Sequence, residues 1–209
     1  MKKLFLIALT AMFISCSSDD DSNSSNSSSD VAYFTATVDG ASFNYRENNS
    51  SSPSHYHSFG YGFNGNGFDK SFYYSAYILP STTFSYYPSI DVTLHNMFVS
   101  TSESAETDAF YGLFNTLPTN YISYDDDSNW VKGISVTYID QNEVFYTSLA
   151  GSQAGSSITF SNPTNGYDGN LQTVTVTGTV NCKLYNSEDV TDYKTVTNGT
   201  FKLIFREYY

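Results

Sequence analysis

Residues 171–184 read LQTVTVTGTVNCKL, and every second residue from the fourth onward is apolar or small. An alternation of period two is typical of a β-strand that has one face on a core and the other in solvent. The threonines between the apolar positions are predicted to line the outer face, where ordinary β-propensity explains them. Residues 193–206 repeat the pattern, with Phe201, Leu203 and Phe205 facing inward. The two stretches therefore predict two long strands.

The same alternation recurs in shorter segments from residue 33 onward. Their apolar positions are Phe34, Ala36 and Val38; Phe59, Tyr61 and Phe63; Phe72, Tyr74, Ala76 and Ile78; Ile90, Val92, Leu94 and Phe98; Ile134, Val136 and Tyr138; Ile158 and Phe160. Asp39-Gly40 and Asn64–Gly67 supply turn signals between neighbouring strands. The sequence therefore predicts an all-β fold, an antiparallel β-sandwich of about ten strands, with a flattened β-barrel as the alternative.

One segment, residues 102–114, departs from the period of two. Its apolar side chains at Ala109, Phe110, Leu113 and Phe114 are spaced as on one face of a helix. Ser102 is the first residue of the segment and is a residue type that caps helix N-termini. We therefore expect a single short helix that covers an edge or an open end of the sheets.

The N-terminal part of the chain differs in composition from the rest. Lys2 and Lys3 precede about eleven mostly apolar residues, too few to cross a bilayer, which needs roughly twenty. This pattern predicts a signal peptide over residues 1–15. After its first residue, the segment 16–30 holds only Ser, Asn and Asp, which cannot offset the entropy of ordering, so it predicts a flexible tether. Residues 31–209 are then expected to form a single domain.

Two motifs at this end resemble known targeting signals. Phe13-Ile14-Ser15-Cys16 resembles the bacterial lipobox, with Phe13 where leucine is usual, and the resemblance implies lipidation of Cys16. Ser18-Asp19-Asp20-Asp21 resembles the export signal of Bacteroidota-type surface lipoproteins. That likeness implies a protein anchored by lipid in the outer membrane and facing the cell exterior.

The domain itself resembles a family of uncharacterised Bacteroidota-type surface lipoproteins. The segments that carry the likeness are Phe34–Gly40, Val180–Tyr185 and Thr197–Phe201, which are strand and turn patterns. The resemblance implies a lipid-anchored β-domain, and it assigns no catalytic residues.

Charge and cysteine content limit the partners. Without Lys2 and Lys3, seven basic residues face 21 acidic ones, a formal charge of −14. Nucleic acid is therefore not an expected partner, because binding it relies on Lys and Arg. Anionic lipid headgroups are equally disfavoured, so the expected membrane contact is the lipid anchor. Cys182 has no cysteine partner once Cys16 is lipidated, and its place in the alternation predicts a small buried hydrophobe.

Metal and cofactor sites are not predicted. His55 and His57 share one strand face, whereas His95 faces the other way, so a site that joins all three is not expected. Asp125, Asp127 and Asn129 are candidate calcium ligands, although a solvated acidic turn explains them as well. The EF-hand pattern fails, because Trp130 stands where glycine is needed and Val136 where glutamate is needed.

No nucleophile motif such as Gly-x-Ser-x-Gly occurs, and the sequence predicts a protein without catalytic activity. A Ser–His–Asp arrangement could still assemble in space. A hydrolase would need a pocket that gathers two carboxylates, or a Ser with a His, within hydrogen-bonding reach.

The chain has an excess of aromatic residues, with 19 Tyr and 16 Phe. Tyrosine has an apolar ring and a polar end, which suits contact with a sugar ring or a protein, although strand propensity also accounts for it. The candidates for exposure are Tyr73, Tyr77, Tyr86, Tyr87, Tyr111, Tyr121 and Tyr124, and the candidates for ligand contact are Tyr73, Tyr77, Tyr86, Tyr87, Tyr124 and Trp130. We therefore expect a non-catalytic surface module that binds a glycan or a surface protein. The alternatives are a structural envelope lipoprotein and a glycan-active or other hydrolase.

Overall fold

The computed structural model describes residues 30–50, 54–66, 69–80, 87–100, 106–124 and 131–207. Several predicted features lie outside these residues: the signal peptide, Cys16, Ser18, Asp19, Asp20, Asp21, Tyr86, Asp125, Asp127, Asn129 and Trp130.

The described residues form ten strands and one α-helix, which confirms the all-β prediction. In chain order they are β1 (Ala32–Val38), β2 (Ala41–Glu47), β3 (His55–Asn66), β4 (Asp69–Pro80), β5 (Ser89–Ser100), α1 (Glu106–Leu113), β6 (Gly133–Ile139), β7 (Phe145–Thr147), β8 (Ser157–Asp168), β9 (Leu171–Asn186) and β10 (Tyr193–Arg206). A short 3-10 turn, Ser148–Ala150, follows β7. Asp39 and Gly40 both have positive φ, as the predicted turn between β1 and β2 requires.

All ten strands belong to one antiparallel sheet, in the order β2-β1-β10-β9-β7-β6-β5-β4-β3, with β8 paired to β9 off this path. The sheet curls until its two end strands meet. There the backbone N–H of Arg46 donates to His55 Nδ1 at 3.3 Å, and that of His57 donates to Glu47 Oε2 at 3.0 Å. The architecture is thus a nearly closed barrel, as the flattened-barrel alternative predicts. The seam of the barrel lies between β2 and β3, where side chains bridge the two strands.

The core fills the inside of the curled sheet. The alternating residues of β1 and β10 are buried as predicted, and the rings of Phe34 and Phe201 lie 6.1 Å apart, centroid to centroid. Each fully buried aromatic or aliphatic side chain contributes roughly 1.5–3 kcal/mol to folding. Cys182 belongs to this core as a free thiol, and burial raises its pKa to about 12, so the inward position predicted for it is confirmed.

Helix α1 lies over the core between distant strands. Phe110 packs on Tyr74 of β4 with ring centroids 5.3 Å apart, and Phe114 packs on Phe205 of β10 at 5.6 Å. The hydroxyl of Tyr111 donates to the backbone oxygen of Gly166 at 2.8 Å. The helix therefore packs on the apolar interior and contacts side chains from β4 and β10. None of the described helices has the length and apolar composition that a bilayer crossing requires.

Strand β8 is longer than the alternation of Ile158 and Phe160 suggests. It continues to Asp168 although most of its second half is exposed on both faces. Pairing to β9 holds this half, and the register shifts between Ser161 and Thr164. Pro163 lies within that shift, where a missing backbone N–H is tolerated. Backbone pairing, rather than burial, defines this part of the strand.

Candidate ligand-binding site

The outer side of β4, β5 and β6 carries a row of three side chains in register. Tyr77 pairs with Asp91 across β4 and β5, and Asp91 pairs with Thr137 across β5 and β6. Because successive side chains of a strand alternate between faces, these three point away from the buried Ile78 and Val92. The row places one carboxyl group between an aromatic ring and a hydroxyl group.

A second row lies one step along the same strands. Leu79 follows Tyr77 by two residues, and Ser89 pairs with Ile139. Tyr87 comes from the segment before β5 and joins the two rows, so that seven side chains surround a cavity of about 310 Å³. Carbon atoms make up most of its lining, and the polar groups of the wall are few.

Asp91 is the ionisable residue at the centre of this cavity wall. Burial raises the pKa of its carboxyl group to about 7, although a hydrogen bond from Thr93 Oγ1 to Asp91 Oδ1, 3.3 Å long, acts in the opposite direction. Ser75 Oγ lies 2.7 Å from Thr93 Oγ1 and extends this chain of hydroxyl groups. No Lys, Arg or His within the described part of the chain pairs with Asp91. Its charge is therefore uncompensated when it ionises.

A Ser–His pair lies on the same outer face but does not line the cavity. His95 Nε2 is 2.7 Å from Ser135 Oγ, and Ser135 is only 2% exposed. Burial lowers the pKa of His95 to about 4, so the imidazole is neutral at neutral pH and a weak base. A substrate cannot reach a serine buried in this way. The pair therefore acts as a buried hydrogen bond within the wall of the sheet.

The structure separates the predicted tyrosines into three groups. Tyr77 and Tyr87 line the cavity. Tyr73 (40% exposed) lies further along β4 beside Gly62, and Tyr124 (58% exposed) lines a separate hollow. Tyr111 and Tyr121 are half-buried, as Tyr77 and Tyr87 are, but they pack against the core and do not line the cavity. For Tyr121, burial raises the pKa of the hydroxyl, with Cys182 as its neighbour.

The histidines do not come together. His55 stacks on Tyr45 with ring centroids 4.1 Å apart, and His57 Nδ1 contacts Glu47 Oε2 at the seam. His95 is hydrogen-bonded on the outer side of β5. Among the residues that the structure describes, no three His, Cys, Asp or Glu side chains group as metal ligands do.

The outer side of β1, β10, β9 and β8 has a different construction. Thr35, Thr200, Thr179 and Thr159 stand in register across the four strands. The hydroxyl oxygens of Thr35 and Thr200 lie 2.8 Å apart, and those of Thr159 and Thr179 lie 2.7 Å apart. Cross-strand pairs of this kind contribute roughly 0.2–1 kcal/mol each. We call these four residues the threonine row, and its hydroxyl groups satisfy one another.

Sequence reasoning did not select Asp91, although a signal was present. Several acidic residues of the described chain stand in turns, such as Asp39 and Asp140, whereas Asp91 lies in a strand between Ile90 and Val92. Aspartate is depleted in strands, so its presence within one marks a position with another role. No protein-family model, curated protein or solved structure matches this chain. A ligand site is therefore inferred from the geometry of the cavity.

Proposed function

We propose that this protein is a lipid-anchored, surface-exposed binding module without catalytic activity, and that a small organic ligand occupies the cavity beside Asp91. One observation carries the proposal. Two tyrosines that sequence reasoning selects as ligand contacts, Tyr77 and Tyr87, lie on the wall of one cavity.

The cavity has the properties that small-molecule sites share. Its volume of about 310 Å³ lies at the lower end of the usual range, roughly 300–1,000 Å³. Walls of Leu79, Ile139 and the two tyrosine rings would remove apolar ligand surface from water. Asp91, Ser89 and Thr137 supply a few polar groups, which would fix the orientation of a ligand. Such a site can bind without reacting, because its described lining contains one carboxyl group and no paired acid and base.

The direct test is a double substitution, Tyr77→Ala with Tyr87→Ala. We would screen the purified domain against a library of small sugars, amines and carboxylates by ligand-observed NMR. Ligands of the wild-type domain should bind at least tenfold more weakly to the double variant, because two aromatic walls are lost. Tyr73→Ala is the matched control, since Tyr73 lies on the same strand outside the cavity. Equal loss in the control, or retention in the double variant, would contradict the proposal.

The membrane anchor rests on the resemblance of residues 13–16 to a lipobox and is tested separately. Cells fed an alkyne-bearing fatty acid should label the wild-type protein, and Cys16→Ser should abolish the label. Cys182→Ser is the control, because that thiol is buried in the core. Label on the Cys16→Ser protein would refute the anchor.

Surface display rests on the resemblance of residues 18–21 to an export signal. Replacing Asp19, Asp20 and Asp21 by Asn should protect the domain from protease added to intact cells, whereas the wild-type domain should be degraded. Protection of the wild-type domain would instead favour an envelope protein that faces inward.

Two other functions differ from this proposal in measurable ways. A structural envelope lipoprotein would show no ligand in the screen. Among the described residues, a hydrolase could use the Ser135–His95 pair or the Ser54–His55 pair, whose Oγ and Nδ1 lie 2.9 Å apart, so Ser135→Ala or Ser54→Ala would abolish its activity. The burial of Ser135 and the low pKa of His95 argue against that role for the first pair.

A further inference from the structure

We propose that the ligand of this cavity carries an alkylated ammonium group, which Asp91 holds beside the rings of Tyr77 and Tyr87. The proposal rests on the proposed function of the same cavity and adds the chemical class of the ligand.

The position of the carboxyl group is the first argument. Asp91 is on the middle strand of three, with Tyr77 directly opposite on β4 and Thr137 directly opposite on β6. Side chains in directly opposite positions have Cβ atoms roughly 4.5–5.5 Å apart. A group bound over Asp91 is therefore within reach of the Tyr77 ring. Tyr87 reaches the same cavity from the segment before β5.

The second argument is that Asp91 has no cationic partner within the described residues. Its neighbours in the described cavity wall are Tyr77, Leu79, Tyr87, Ser89, Thr137 and Ile139, none of which carries a positive charge. A carboxylate that is removed from water without a cation is costly, and the raised pKa of Asp91 has this cause. A ligand cation would restore the missing interaction, so the cavity favours positive charge and disfavours anions.

The lining decides between kinds of cation. A metal ion needs several oxygen or nitrogen ligands, whereas this wall contains one carboxylate and a few hydroxyl groups. A primary ammonium would lose three strong hydrogen bonds to water, and walls of mostly carbon replace few of them. An alkylated ammonium is weakly hydrated, buries its methyl groups against Leu79 and Ile139, and is attracted to tyrosine rings. It fits the wall best.

A matched pair of probes tests the proposal. Choline and its uncharged carbon analogue, 3,3-dimethyl-1-butanol, have nearly the same shape and differ in charge. We expect choline to bind at least about tenfold more tightly than the analogue at pH 8, as measured by isothermal titration calorimetry. Asp91→Asn keeps the size of the side chain and an oxygen that accepts from Thr93, and it should remove this preference. Asp39→Asn, at an exposed turn outside the cavity, is the control and should keep it.

A second variant separates ring attraction from hydrogen bonding. Tyr77→Phe should retain choline binding within about twofold, whereas Tyr77→Leu should weaken it about tenfold, because only the former keeps an aromatic face. The cation proposal is overturned if choline does not bind, if the analogue binds as tightly, or if Asp91→Asn leaves choline affinity unchanged. The binding function itself would survive these results if another ligand of the library were lost with Tyr77→Ala and Tyr87→Ala.

Discussion

Two outer surfaces of the same sheet meet the solvent in different ways. In the threonine row, polar side chains of neighbouring strands bond to one another, as at Thr159 and Thr179. On β4, β5 and β6, large apolar side chains surround Asp91, which has no cationic partner within the described residues. An outer strand face whose polar groups bond to one another stabilises the sheet and leaves no polar group for a ligand. A face that leaves a charge uncompensated in an apolar hollow is suited to a ligand.

The largest expected effect is on the pH dependence of choline binding. Asp91 has a pKa of about 7, so the ionised fraction falls about tenfold for each pH unit below that value. Affinity should therefore drop at least about tenfold between pH 8 and pH 5, toward the affinity of the Asp91→Asn variant, measured by calorimetry. The groups that face Asp91 are Tyr77 from β4, Tyr87 and the uncharged Thr137, while His95 on its own strand stays neutral over this range.

Asp91→Asn provides the control for that titration, since its residual affinity should not vary with pH. An equally steep titration in Asp91→Asn would assign the effect to another group. A flat wild-type profile would remove the role of Asp91.

The next effect is on stability. The pKa of Asp91 is higher in the folded protein than the ordinary 3.8, so the folded state binds the proton more tightly and loses stability as pH rises from about 4 to 7. Asp91→Asn should therefore stabilise the ligand-free domain at pH 8, by about 2 kcal/mol after allowance for partial exposure. At pH 3 the gain should vanish. Urea denaturation at both pH values measures it, and a gain that is the same at both would contradict the cause.

A smaller effect, a loss of stability, is expected when the buried Ser135–His95 pair is broken. Ser135→Ala removes the partner of His95 Nε2, which lies 2.7 Å away. Leaving a buried polar group without a partner costs about 1–3 kcal/mol, and urea denaturation should show a loss toward the lower end of that range. Choline affinity should stay unchanged, because Ser135 does not line the cavity. A tenfold change in affinity would show that the pair belongs to the site.

The smallest effect is expected in the threonine row. Thr179→Val keeps the β-branched shape and removes one hydroxyl of the bonded pair with Thr159. The free energy of unfolding should fall by about 0.5 kcal/mol, and this loss should not depend on pH between 5 and 8. Choline binding should be the same as in the wild type. A larger effect on choline binding than on stability would indicate that the threonine row also contacts a ligand. The two outer surfaces would then not differ in function.

Most strands could be predicted from the sequence, because burial on one face imposes a period of two that is visible in β1, β9 and β10. The exposed half of β8 could not, since backbone pairing to β9 holds it without an apolar pattern. The closure of the sheet could not be predicted from the sequence either. It depends on accumulated twist that brings Arg46 to His55, and no local pattern encodes that distance.

Part of the site could be predicted from the sequence. Tyr77 and Tyr87 stood out as aromatic residues in a chain rich in them. The cavity required the register that sets Asp91 opposite Tyr77 and Thr137, and strand pairing between distant segments decides that register. A single acidic residue within a strand was the one local sign of it.

The pairing of β1 with β10 has a consequence for how the domain is made. Phe34 and Phe201 face each other across this pair, yet they are separated by most of the chain. A nascent polypeptide that still lacks β10 has no partner for that edge of β1, and its core lacks Val196, Phe201, Leu203 and Phe205. We therefore expect folding to be slow and to wait for the arrival of the last strand, because loop closure over such a distance precedes any gain from the contact.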